Sequence, residues 1–319
     1  MNKMPTVAVL QGGTSSERGV SLRTGASVAR ALASRGYRVV EIDLQTETGR
    51  ELDGVKCDVA FIAMHGRFGE DGALQAILDR RRIPYTGSGP EASRLAMDKA
   101  EAKRLFRGKG LDTPADRLII YGDSVDVLQQ GARSLGYPVV VKPKAEGSSV
   151  GISLHRDDST VFEGAIDAFR YGRVAMMEKF IAGREMTVGI LDGRALPVIE
   201  LKPKRAFFDF VAKYADPETQ YIVNPALDPD DLRRIQGAAL AAHKALGCDG
   251  ASRVDLIFTP LHSAFVLEVN TIPGMTERSL LPKAAAAAGI EYAELCDRIV
   301  RHAAAKRRGL FRSLGAASL

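Results

Sequence analysis

The sequence predicts a mixed architecture: an α/β unit built on a Rossmann-like parallel sheet at the N-terminus, followed by two α+β units. Three observations carry this prediction. From residue 5 to about 88, apolar strand-like runs alternate with glycine loops and helix-period segments, the pattern of a parallel sheet flanked by helices. Further along, strand-like runs follow one another across short turns, the pattern of antiparallel pairing. The 319 residues suffice for two domains or three small ones, and no internal repeat is present.

In order, strand TVAVL (6–10) and a glycine loop lead into helix SLRTGASVARALASRG (21–36). Strands YRVVEIDL (37–44) and DVAFIAMHG (58–66), helix GALQAILDRRR (72–82) and a short strand IPYTG (83–87) complete the first unit. A helix through MDKAEAKRLFRG (97–108) and strand DRLII (116–120) open the second, which also holds the paired strands VAMMEKF (174–180) and EMTVGIL (185–191). Asp192-Gly193 is a strong hairpin signal joining EMTVGIL to RALPVIEL (194–201). A polar loop, a helix over 228–247, strands SRVDLIF (252–258) and AFVLEVN (264–270), and two helices finish the chain. The expected units are 1–98, 99–187 and 188–319.

Composition is that of a globular protein, 45% hydrophobic and 26% charged, with no low-complexity tract. The formal charge of +5 is concentrated in residues 298–319, which hold six bases and no acid; the body keeps 38 bases against 39 acids. That distribution argues against a nucleic-acid partner, which needs charge spread over a folded face, and favours a solvated helix end and tail. Cys57, Cys248 and Cys296 have no CxxC spacing and read as free thiols rather than a disulfide framework or zinc site. No apolar run reaches the roughly 20 residues of a membrane span, and the N-terminus lacks a signal-peptide core. A cytoplasmic location is expected.

Two stretches carry chemistry. VVVKPKAEGSSVG (139–151) runs from a β-branched strand through Lys142 into a loop of small residues, and ISLHR after it reads as another strand. A P-loop places its lysine after the glycines, at a helix start. Here the strand–loop–strand order predicts a hairpin flap able to lower backbone N–H groups onto phosphates. In SRVDLIFTPLHSAFVLEVNTIPG (252–274), Arg253 and Asp255 share one strand face and Glu268 and Asn270 share another. A hairpin centred between Leu261 and His262 sets Asp255 opposite Glu268 and Arg253 opposite Asn270, with Val254, Leu256, Leu267 and Val269 turned to the core. Facing carboxylates repel unless a cation separates them. Hard oxygen donors without His or thiolate suit Mg²⁺, so Asp255, Glu268 and Asn270 are candidate metal ligands and the flap a cover for the phosphates of ATP.

These stretches belong to a longer series: GGTSSERGVS (12–21), MHGRFGEDG (64–72), PYTGSG with MDK (84–99), VKPKAEGSSVG (141–151), MEKFIAGREMTV (177–188), AKYADPETQY (212–221), SRVDLIF (252–258) and EVNTIPGMTERSLLP (268–282). In this order they resemble the D-alanine:D-alanine ligases of the ATP-grasp superfamily. The resemblance implies an ATP-grasp fold of three domains. It implies ATP-dependent joining of two D-alanines through an acyl phosphate for peptidoglycan synthesis, two Mg²⁺ ions with Mn²⁺ as a substitute, and a homodimer. It implies that Arg253 and the Gly274 N–H stabilise the tetrahedral oxyanion. Lys99 and Lys142 would be phosphate cations, with Glu146, Gly147, Ser148 and Ser149 in the flap. Glu178, Lys179, Phe180 and Ile181 would line the adenine, Glu185 would accept from the ribose, and Asn270 would serve both nucleotide and metal. Glu17 would hold the first D-alanine's ammonium and His65 would lie near its carboxylate. Ser279 and Leu280 would receive the second carboxylate. Glu17, Ser148 and Tyr214 would tie the closed loops together, with Lys213 beside them; Tyr214, rather than Phe, favours D-alanine over D-lactate as second substrate.

The sequence departs from the family pattern at Phe210-Val211, where Tyr-Glu is frequent, and at Arg278, where a smaller or imidazole side chain is frequent. These positions bear on loop closure and the second substrate, not on ATP. Two alternatives stay open on sequence alone: another carboxylate–amine ligase of the superfamily with a different second substrate, and an ATP-binding regulator without the chemistry.

Overall fold

The structure, a computed structural model, describes residues 4–147, 150–202 and 219–316. Strands β1 (Thr6–Gly12), β2 (Arg38–Leu44) and β3 (Val59–Ile62) form a parallel sheet in the order β2-β1-β3. Val7 to Leu10 of β1 are fully buried, as a central strand covered on both faces must be. Helices α1 (Arg18–Ser34) and α2 (Ala73–Arg80) and a 3-10 turn (Arg50–Leu52) accompany the sheet. The segment 83–87, expected as a strand, makes a single parallel bridge, Ala60 to Tyr85. Pro84 has no N–H to donate and Gly87 turns the chain away at φ 87°, so the pairing stops there.

Two helices follow where the sequence suggested one. Pro90 occupies the first turn of α3 (Pro90–Met97), and Asp98 separates it from α4 (Lys99–Gly108) by leaving helical geometry and accepting from the Ala100 and Glu101 N–H groups. The buried face of α4 is Lys99, Ala102, Lys103 and Phe106, one helical stripe in which two of four positions are lysines.

The second sheet is antiparallel, in the order β4-β7-β5-β6, from β4 (Asp116–Ile120), β5 (Val139–Pro143), β6 (Ser153–His155) and β7 (Val174–Lys179). Helices α5 (Val125–Leu135) and α6 (Val161–Phe169) cover one face, burying Val139, Val141, Ala175 and Met177. The alternate residues Lys142, Met176 and Glu178 belong to the opposite face. β5 pairs with β6 as the flap reading requires, Val141 facing Ser153.

The third sheet is also antiparallel, in the order β10-β9-β8-β11-β12, from β8 (Arg184–Leu191), β9 (Arg194–Lys202), β10 (Gln220–Val223), β11 (Ser252–Phe258) and β12 (Ala264–Asn270). Asp192 and Gly193 turn β8 into β9 with φ of 50° and 72°, the two positive values a type I′ hairpin needs. Helix α7 (Pro229–Ala245) packs on this sheet together with Phe106 of α4. Helices α8 (Leu280–Ala287) and α9 (Tyr292–Ala316) share a core with β1, β3 and α1, where Leu295 and Val300 are fully buried. Asp297 of α9 accepts from the Tyr37 hydroxyl at 2.6 Å and from Arg35 at 3.2 Å, fastening α9 to the end of α1.

The β11–β12 hairpin reaches the expected pairs by a different route. Arg253 faces Asn270 and Asp255 faces Glu268, but nearer the turn the register slips, so that Leu256 faces Val266 and Phe258 faces Ala264. The turn is a three-residue loop in which Thr259 N–H donates to Ser263 O and His262 adopts φ 60°, and a β-bulge at Leu267 takes up the extra residue. In consequence Val266, not Leu267, is the fully buried core residue.

Candidate active site

The carboxyl end of β1, the loop after β3, the base of the flap, the end of β12 and the start of α8 converge on a cleft of about 410 Å³. Among the residues expected from sequence, its walls include Glu17, His65, Lys99, Glu146, Gly147 and Arg253, and, from β12 onward, Glu268, Asn270, Gly274, Ser279 and Leu280. Lys142, Glu178, Lys179, Phe180, Ile181, Glu185 and Asp255 lie outside that wall. Ser148, Ser149, Phe210, Val211, Lys213 and Tyr214 lie outside the described residues.

One group of cleft residues carries carboxylates. Glu17 starts α1 as its N-cap without a side-chain capping bond. A side-chain carbon placed on Gly147 would lie 3.7 Å from both Glu17 Oε2 and Glu70 Oε2, so two carboxylates face the base of the flap. His65 is 4% exposed; its Nε2 lies 3.1 Å from Thr24 Oγ1 and its Nδ1 3.5 Å from Glu70 Oε1. Gly66 holds φ 74° beside it, where a side-chain carbon would come within 2.9 Å of Glu17 Oε2. Such a set suits an ammonium group.

A second group is basic. Ser279 is the N-cap of α8, yet its Oγ does not cap that helix; it lies 2.8 Å from Thr276 Oγ1 and accepts from Thr276 N–H at 3.2 Å. Leu280, the first helical residue, lies on the cleft wall with Arg278 and Lys283. Burial, then the neighbouring Arg278, pulls the Lys283 ammonium below its usual range, and its Nζ stands 4.4 Å over the Tyr221 ring. A helix start flanked by two cations suits a carboxylate.

The facing carboxylates of β11 and β12, Asp255 and Glu268, are each supplied with a cation. Arg253 grips Asp255 through Nε at 2.9 Å and Nη2 at 2.8 Å, and Thr187 Oγ1 adds a bond of 2.6 Å. Lys99 Nζ lies 3.1 Å from Glu268 Oε2 and donates to the Glu146 carbonyl at 2.6 Å, linking the flap to β12. Asn270 Oδ1 accepts from the Ile272 N–H, which sets the turn leading to Gly274. Among the described residues no group of three or more His, Cys, Asp or Glu could hold a metal alone. A divalent ion here would rest on two carboxylates, an amide and substrate oxygens, the oxygen-poor protein set that Mg²⁺ tolerates because it keeps waters and phosphate ligands.

Behind this centre, Glu178 is 4% exposed and receives Lys142 Nζ on Oε1 and Lys103 Nζ on Oε2, each at 2.6 Å. Burial alone would raise the Glu178 carboxyl, but the two ammonium groups hold it below the usual carboxylate range. Sequence reasoning missed Lys103, Glu70, Arg23, Tyr221 and Lys283. Only Lys103 left a signal, a lysine on the apolar stripe of α4.

Comparison with known proteins settles the family. A family model described as D-ala D-ala ligase C-terminus matches residues 119–301, and one described as D-ala D-ala ligase N-terminus matches residues 48–88. The D-alanine–D-alanine ligase of Syntrophotalea carbinolica is 45% identical over 306 residues, covering 94% of this chain and 97% of the relative. The chain belongs to the D-alanine–D-alanine ligase family. Its fold is accordingly the ATP-grasp fold expected from the motifs. The ligase of Bacillus anthracis, solved in complex with ATP, superposes with a TM-score of 0.85 at 33% identity, covering 96% of this chain and 99% of that one. The VanG D-Ala:D-Ser ligase of Enterococcus faecalis superposes at 0.82 with 26% identity, covering 94% and 99%.

Proposed function

We propose that the chain joins two D-alanine molecules at the expense of ATP, releasing ADP and phosphate, in peptidoglycan precursor synthesis. The charged groups gathered on one cleft carry this reading: Glu17 and Glu70 facing the base of the flap, the Ser279–Leu280 helix start with Arg278 and Lys283, and Arg253 with Gly274. The first D-alanine places its ammonium at Glu17 and its carboxylate toward Arg253. Attack of that carboxylate on the γ-phosphate breaks the bond to ADP and gives an acyl phosphate. The second D-alanine, held by its carboxylate at Ser279 and the Leu280 N–H, offers its amine to the acyl carbon. The tetrahedral oxyanion forms beside Arg253 and the Gly274 N–H, preorganised donors worth about 3–4 kcal/mol each. Its collapse expels phosphate and leaves the peptide bond.

Asp255, Glu268 and Asn270 would hold two Mg²⁺ ions, or Mn²⁺ in their place, which neutralise triphosphate charge when bound. Lys99, tied to the flap through Glu146, would report triphosphate arrival to the loop over it. Arg253 has a second task in the meantime, since its bidentate grip keeps Asp255 oriented. Closure of the flap by Ser148, with Tyr214 and Lys213, would exclude the water that hydrolyses an acyl phosphate. No helix among the described residues is long and apolar enough to cross a membrane; the reading places the enzyme in the cytoplasm, as a homodimer.

Phosphate release with D-alanine as sole amino acid, set against D-serine, D-lactate, glycine and L-alanine, tests the assignment. Turnover fastest with D-alanine supports it. ATP binding with no turnover of any of them would overturn it in favour of a regulator, and a preference for a mixed pair would move the assignment to another second substrate.

A further inference from the structure

Lysine is rarely buried without a task, and α4 buries two on one face. Lys99 reaches the cleft. Lys103, four residues on, does not: it is fully buried and its Nζ donates to Glu178 Oε2 at 2.6 Å and to the Pro114 carbonyl at 2.9 Å. Asp116 Oδ1 lies 3.7 Å from the same ammonium and is itself paired with Arg107. Charges therefore alternate along the row Lys142, Glu178, Lys103, Asp116 and Arg107, buried from Lys142 to Lys103 and reaching solvent at Arg107, and Lys103 is its central cation.

The arrangement matters because Lys142 has two claims on it. It now sits 2.6 Å from Glu178 Oε1, whereas the family resemblance, carried into the ligase function proposed above on which this inference rests, gives its charge to a phosphate. An ammonium cannot keep a 2.6 Å contact with Glu178 and also turn wholly to phosphate. Once Lys142 shifts its charge, Glu178 becomes a buried carboxylate that would be uncompensated were Lys103 absent, and an uncompensated buried charge is strongly unfavourable. With Lys103 fixed on Oε2 by its second bond to Pro114 O, Oε1 is released as an oriented acceptor without loss of charge balance.

We propose that Lys103 is a positioning residue for nucleotide recognition: it holds Glu178 ionised and oriented when Lys142 moves to the phosphates, so that the vacated Oε1 accepts from the exocyclic amine of adenine. Lys103 itself touches no substrate. It sets the selectivity for a 6-amino purine over a 6-keto purine, which presents an oxygen where Glu178 needs a donor.

The test is steady-state kinetics of Lys103→Met with ATP and with inosine triphosphate, at saturating D-alanine and Mg²⁺. The KM for ATP rises about ten- to a hundredfold, the range of one charge-assisted hydrogen bond. The kcat falls far less, and the preference for ATP over the inosine nucleotide narrows. A purely structural role would shift both nucleotides alike, and that result, or an unchanged KM for ATP, overturns the proposal. The double variant Lys103→Met/Glu178→Gln removes one charge of each sign and guards against misfolding of the single variant. Its KM for ATP matches that of Glu178→Gln alone if Lys103 acts through Glu178; a further tenfold rise refutes this. Should the unmodified chain fail to ligate D-alanine, the ligase reading falls, and calorimetric titration of the same variants with a non-hydrolysable ATP analogue and with its inosine counterpart still decides the role of Lys103.

Discussion

Gly274→Ala isolates the junction between the proposed oxyanion site and the proposed second-substrate site. An ideal side-chain carbon at 274 lies 3.0 Å from Ser279 Oγ and 3.5 Å from Ser279 Cβ, with no other heavy atom among the described residues beyond its chain neighbours within 4 Å. The overlap is a few tenths of an ångström against ordinary carbon–oxygen contact. Ser279 can yield only by disturbing its 2.8 Å contact with Thr276 Oγ1, and the alternative is a shift of the 274 peptide itself. Either movement displaces a group assigned to hold charge. Weakening one charge-assisted hydrogen bond of about 1.5–3 kcal/mol corresponds to roughly ten- to a hundredfold in kcat/KM for the second D-alanine. Thermal stability should change little, because one methyl contact is all that is strained. Coupled assays of phosphate release over a wide D-alanine range separate the two amino-acid sites. The control is Gly274→Ala/Ser279→Ala, in which the offending oxygen is gone: the added methyl should cause no further loss beyond Ser279→Ala alone. Unchanged kcat/KM at the second site in the single variant, or full additivity in the double, would refute the geometry.

Three other outcomes are expected. Glu268→Gln should depress turnover at least about tenfold with the fold retained, because it removes charge from the pair proposed to hold metal; undiminished turnover at saturating Mg²⁺ would refute the ligand role. Burial pushes the Cys248 and Cys296 thiols up to about 12, so neither should react with iodoacetamide at pH 8 until the chain is unfolded, as mass spectrometry of the labelled sites will show. Burial holds His243 below its usual range, so below about pH 6.5 the unfolded chain takes up a proton that the folded chain does not. Stability is then lost as pH falls from the unfolded value toward the folded one, and His243→Gln should flatten the fall in urea midpoint between pH 7 and 5.5; an unaltered slope would contradict this.

Much of the site was legible because the chemistry sat in local patterns. The alternation in SRVDLIF and AFVLEVN put Arg253, Asp255, Glu268 and Asn270 on one face, and the structure pairs them accordingly. The bulge at Leu267 was not legible, since a three-residue loop with His262 at φ 60° and a two-residue turn leave similar sequence traces. The strand at 83–87 reduced to one bridge because period-2 hydrophobicity does not register the missing N–H of Pro84. Lys103 and Glu178 are 75 positions apart, and no local pattern links a helix lysine to a strand glutamate. Glu70, Arg23 and Lys283 were invisible for the same reason: each acquires meaning only when the three sheets close the cleft.

The most direct measurement is a crystal structure with a non-hydrolysable ATP analogue and Mg²⁺. The account predicts electron density for the triphosphate between Lys99, Lys142 and the flap, with metal bridging it to Asp255, Glu268 and Asn270. A triphosphate bound elsewhere, or these three side chains left without metal at full nucleotide occupancy, would contradict it.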